Sequence, residues 1–193
     1  MADEDETLRA DARANRDRIL DVARDALAAD PAASLHSIAK AAGVGQGTLY
    51  RHFATREALV LGVYRKQIDA LVALAPALLA EYPPIQAFRF WCDRFAEYGR
   101  RKRGIADVIR AAMSDQDFQE TYWPMVGAVR QLMEACERSG EIPPGADAED
   151  FLQLLGCMLQ IAPTAEGEAR ATRLLALAFR GLGVKNAAAA VTL

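Results

Sequence analysis

Gln46, Thr48, Tyr50, Arg51 and His52 fall in one short run of the stretch AGVGQGTLYRHFAT, from Ala42 to Thr55. Together these side chains suit the recognition of a nucleic acid. A glutamine carboxamide pairs bidentately with adenine, and an arginine guanidinium does the same with guanine or grips a phosphate. A threonine hydroxyl reaches a phosphate or contacts a thymine methyl. Tyr50 and His52 suit clamping of the backbone better than reading of bases. Gly45 and Gly47 leave the start of the run without bulk, so backbone N–H groups and the positive end of a helix dipole can approach a phosphate.

Such side chains work only if a rigid corner holds them outward. Ser34 is a ready N-cap for a short helix from Leu35 to Ala42, whose Leu35, Ile38, Ala39 and Ala42 share one face. Gly43 ends that helix in a left-handed cap, Val44 tucks under the corner, and a second short helix follows from Gln46 to Phe53. Two short helices crossing steeply need a small residue, a glycine and an apolar residue at the crossing, and Ala39, Gly43 and Val44 stand there in order. Leu49 and Phe53 close a small core against Ile38 and a first long helix, Leu8 to Ala29. In a helix-turn-helix of this kind the second helix enters the DNA major groove. An ordinary helical corner would use Gly43 and Val44 equally well, but it would not need the basic and aromatic surface beside them. Between Thr7 and Arg56 eight Lys/Arg stand against five Asp/Glu, whereas the whole chain carries −3. Lys40 and Arg56 lie where phosphates flanking the groove are expected. His36 has no second ligand at metal spacing and reads as a plain helix-surface residue.

The rest of the chain is also helical. Alternating β-branched runs are missing, and Ala, Leu, Arg, Glu and Gln dominate, which predicts an all-α protein. Thr55 caps a long helix from Arg56 to Ala80, bent or interrupted near Pro76. Further helices are expected over Ile85–Arg103, Ile105–Met113, Asp115–Arg138 (or two pieces joined near Pro124), Ala148–Ile161 and Glu166–Leu182, with a break at Ala162-Pro163-Thr164. Arg100 to Arg103 read as a solvated helix end complementing the dipole, with a second DNA patch as the alternative. Phe88, Trp91, Phe95, Met113, Tyr122, Trp123 and Met125, with Arg110 at the rim, concentrate aromatic and sulfur groups that either fill a core or line an apolar effector pocket. The apolar faces of the last two helices, with Phe151, Leu152, Leu155, Gly156 and Leu159 and then Leu174, Leu175, Leu177, Ala178 and Leu182, exceed what docking on their own chain requires. They predict a four-helix homodimer interface.

At 193 residues and 52% hydrophobic, the chain can bury a proper core. Its three cysteines, Cys92, Cys136 and Cys157, form no disulfide framework or CxxC metal pair and point to a reducing, cytoplasmic setting. The acidic start (Asp3, Glu4, Asp5, Glu6) does not resemble a signal peptide, and no apolar stretch is long enough to span a membrane. Two histidines, no Ser/His/Asp ordering and no phosphate-cradling glycine loop leave little for catalysis; neither a catalytic residue, a metal nor a cofactor is expected.

The segment LHSIAKAAGVGQGTLYRHFATREAL, Leu35 to Leu59, resembles the DNA-binding module of tetracycline-repressor-type (TetR) transcriptional regulators in register over about fifty residues. The segment SGEIPPGADAEDFLQLLG further resembles the C-terminal domain of a large actinobacterial-type subgroup of that family. Gly45 departs from the Ser or Thr often found at that helix start, so one hydroxyl–phosphate contact is missing. The resemblance implies a helix-turn-helix domain over residues 8–58 and an effector-binding and dimerisation domain over 59–183, between flexible termini at 1–7 and 184–193. It also implies a repressor of a palindromic double-stranded DNA operator, released when a small molecule shifts the helix after Thr55. A constitutive DNA-binding regulator with no effector is the alternative. The implied DNA-contacting residues are Lys40, Gln46, Gly47, Thr48, Tyr50, Arg51, His52 and Arg56.

Overall fold

A computed structural model describes residues 2–162 and 164–184, with side chains from Ala10 onward. Among the described residues the chain is all-α, with nine helices: α1 Ala2–Ala29, α2 Leu35–Ala41, α3 Gln46–His52, α4 Arg56–Glu81, α5 Pro84–Lys102, α6 Ala106–Ala112, α7 Asp115–Arg138, α8 Ala148–Met158 and α9 Ala165–Gly181. A 3-10 turn, Arg103–Ile105, separates α5 from α6.

The chain forms two compact units. The first takes the residues up to Gln67 together with Lys102–Ser114, so the 3-10 turn and α6 join α1–α3 and the opening of α4. Ile19, Leu20, Ala23 and Leu27 of α1 recur at helical spacing and are buried with Ile38, Leu49 and Phe53. Lys66 on α4 reaches back to α1, 3.0 Å from Asp21 and 3.6 Å from Asp17. Gly104 in the 3-10 turn lies so close to Pro31 that a Cβ there would come within 2.4 Å of the ring. The second unit takes Ile68–Arg101 and the chain from Asp115 onward. Its centre is aromatic: the Phe88 ring lies 5.1 Å from both Phe151 and Phe179. The Arg89 guanidinium sits 4.5 Å over Phe179, and the Trp91 indole donates to the Leu71 carbonyl at 2.8 Å.

Most boundaries fall within a residue or two of those expected, and the exceptions have local causes. The first helix starts at Ala2 instead of Leu8. Residues 2–7, expected as part of a flexible terminus, are thus helical; Met1, Pro163 and the tail from Lys185 lie outside the described residues. Pro76 and Pro124 interrupt neither α4 nor α7. A proline removes one N–H and crowds one carbonyl, which a long and otherwise well-bonded helix absorbs by bending. The helix expected to reach Ile161 stops at Met158, where Leu159, Gln160 and Ile161 donate to carbonyls three residues back and tighten the last turn.

Candidate nucleic-acid interface

The corner forms as its residue types dictate. Ser34 Oγ accepts from Ser37 N at 3.1 Å and caps α2. At the far end Gly43 takes φ +66°, the left-handed region that a side chain disfavours. That turn lets Val44 N donate to Ala39 O at 3.0 Å and Gly43 N to Lys40 O at 3.2 Å, a Schellman closure. Gly45 is the N-cap of α3 with φ −67° and ψ 148°, and no side-chain bond closes it.

Leu49 and Phe53 anchor the back of α3, 1% and 2% exposed. The Arg16 guanidinium of α1 lies 5.1 Å over the Phe53 ring. With that side fixed, Gln46, Gly47, Tyr50 and Arg51 are exposed and Thr48 and His52 half-buried, while Lys40 is exposed on α2. Tyr50 is the most prominent, 51% exposed. Three of the polar groups are held by the protein itself. Arg51 Nε donates to Gly47 O one turn back at 3.2 Å. The half-buried Arg56 donates from Nη2 to the Pro31 carbonyl. Gln46 Nε2 meets His36 Nδ1 across the corner. Sequence reasoning passed over His36, since a partner ten residues away becomes visible only once the two helices cross.

The residues read as an effector pocket are divided between the two units. Phe88, Trp91, Phe95 and Met125 are buried in the second unit, with Trp91 stacked on Phe95 at 5.6 Å. Tyr122 is half-buried; its hydroxyl donates to Glu149 Oε1 at 3.1 Å and accepts from Gln153 Nε2 at 2.8 Å. Trp123 is 48% exposed. Arg110 and Met113 belong to the first unit, where Arg110 pairs with Asp107 at 3.3 Å. The basic run divides too: Arg101 bonds Glu97 at 2.6 Å, whereas the Lys102 ammonium lies 4.7 Å over the Tyr64 ring, where burial pushes its pKa down.

Of the residues read as a dimer interface, Phe151, Leu152, Leu155 and Ala178 are buried within their own chain, and Gly156, Leu159 and Leu175 are half-buried. Leu174 and Leu177 are exposed, along with Leu154, which sequence reasoning had not selected. Cys92 and Cys136 are buried thiols, and burial pushes Cys136 up to about 12. Among the described residues no three His, Cys, Asp or Glu side chains gather as a metal site requires, and no helix is long and apolar enough to cross a membrane.

Residues 19–63 match the family model described as bacterial regulatory proteins, tetR family. Residues 83–184 match that of the SbtR-like transcriptional regulator C-terminal domain. A TetR transcriptional regulator from Streptomyces coelicolor is similar over 86% of this chain and 97% of its own, at 37% identity and a TM-score of 0.75. A TetR regulatory protein from Mycobacterium vanbaalenii is similar over 91% of this chain and 98% of its own, at 29% identity and a TM-score of 0.70. The fold is shared with RolR in complex with resorcinol, at 20% identity over 94% of this chain and 93% of its own, with a TM-score of 0.58. Nothing among curated proteins matches the chain.

Proposed function

The chain belongs to the TetR family of DNA-binding transcriptional regulators, and from that premise we propose that it is a cytoplasmic, homodimeric repressor of a palindromic operator, released by a small molecule. The observation that carries the DNA-reading part is the division of α3 into an anchored back, Leu49 and Phe53, and an exposed front, Gln46, Gly47, Tyr50 and Arg51. In the groove Gln46 reads adenine, and Arg51 exchanges the Gly47 carbonyl for a guanine or a phosphate. Thr48, Tyr50, His52 and Lys40 hold the backbone. Arg56 contributes through the Pro31 carbonyl, fixing the start of α4 against the turn that leads into α2.

Two copies pair through α8 and α9, where Leu154, Leu174 and Leu177 leave apolar surface exposed. The paired α3 helices then address half-sites one helical turn apart, about 34–36 Å. The effector enters the second unit beside α5 and α7, with Phe88, Trp91, Phe95, Tyr122 and Met125 nearest to it. It releases the operator only if it binds one arrangement of the dimer better than the other. A small molecule bound to the distantly related RolR is in keeping with that reading.

Selection of sites from a random DNA pool by the purified protein, followed by a salt titration on the winner, tests the proposal. A palindrome with a steep salt slope supports the dimeric reader, and recovery of no preferred sequence from folded protein overturns it. The second reading, a regulator with no effector, draws on the complete burial of Phe88 and Trp91 among their neighbours. A library of small aromatic and lactone compounds separates the two: release of the selected operator by any of them favours the effector, and release by none favours the second reading.

A further inference from the structure

The contact between His36 and Gln46 joins α2 to the first residue of α3 and involves a side chain assigned to base reading. Its chemistry is directional. A carboxamide nitrogen only donates, so the imidazole Nδ1 accepts and its proton stays on Nε2. The carboxamide has two N–H groups. One points away from the carbonyl oxygen, and the other lies beside it on the same edge. Adenine needs that shared edge, where Oε1 accepts from N6–H and the neighbouring N–H donates to N7. An imidazole that takes the outlying N–H leaves the adenine-reading edge intact and fixes the order in which donor and acceptor are presented. Without it the carboxamide can rotate, reverse its donor and acceptor, or turn its amino group toward the N7 and O6 acceptors of guanine.

We infer that His36 is a specificity-determining residue, which orients the Gln46 carboxamide for adenine and against guanine without touching the base itself. Both residues are exposed on one side of the first unit, and neither fills the core behind them. The inference rests on the proposed reading of α3 as the base-contacting helix.

The test uses the full-length protein and the operator it selects. Affinities are measured by fluorescence anisotropy for operators carrying each of the four bases, position by position, in both half-sites. Gln46→Ala is the reference and should abolish an adenine preference of roughly 5- to 150-fold at one position per half-site. His36→Ala should cut the preference at that same position by roughly 3- to 10-fold, mostly through gained affinity for guanine, and leave the other positions unchanged. His36→Asn, whose Oδ1 offers an acceptor at a similar point, should keep the preference within about twofold. Preference retained in His36→Ala overturns the inference. So does a change at a different position, which would make His36 a base reader, or a uniform loss across all sequences, which would make it a phosphate contact. If Gln46→Ala alters no position, the assignment of Gln46 to a base fails, and the inference falls with it.

Discussion

Tyr50 and Phe53 lie three residues apart on the same short turn of chain and answer to different forces. Tyr50 has half its surface in water, so Tyr50→Ala should change folding stability by no more than about 0.5 kcal/mol. DNA affinity should nevertheless fall broadly, by roughly tenfold for all sequences, because a backbone contact carries no base information. Thermal melts beside anisotropy titrations check both halves of that expectation. Phe53→Ala removes a ring buried under the Arg16 guanidinium and should cost about 3–5 kcal/mol, read as a lower denaturation midpoint. The outward residues of α3 were legible in the sequence because Leu49 and Phe53 fix the helix's phase. The partners of Gln46 and Arg56 were not legible, since each hydrogen bond depends on where a second helix or a turn places an acceptor.

At the scale of elements, the ends of the helices follow from residue type. Gly43→Ala forces a side chain into a positive φ and should cost about 1–2 kcal/mol, though a Cβ there would meet no neighbour within 4 Å. Urea unfolding measures it directly: a smaller midpoint with an unchanged slope is the expected result. What the sequence concealed was the phase of α8. Phe151, Leu152, Leu154 and Leu155 spread over one broad apolar side of the helix, so periodicity could not tell which edge of that side the chain itself buries. The packed structure turns Phe151, Leu152 and Leu155 inward and leaves Leu154 exposed. The break after Lys102 was legible to within a residue from Gly104; the close pass of Gly104 against Pro31, far away in the chain, was not.

For the whole molecule, the proposed pairing through α8 and α9 predicts that Leu177→Arg, placing a charge on a leucine 53% exposed, leaves each chain folded and yields a monomer by sedimentation. Operator affinity should then drop by at least 100-fold, since one half-site must be held alone. A Leu177→Arg protein that remains dimeric would move the interface elsewhere. The two tryptophans are the only ones in the chain and occupy opposite surroundings. Trp91 is shut away with its indole bonded to the backbone of α4, and Trp123 faces solvent. The protein should therefore carry a two-colour optical gauge: Trp91 should emit at the blue edge and resist iodide, and Trp123 should emit at the red edge and be quenched. Trp123→Phe should leave only the blue, unquenched component. A compound that settles beside α5 would then announce itself in the light of one residue, without any label.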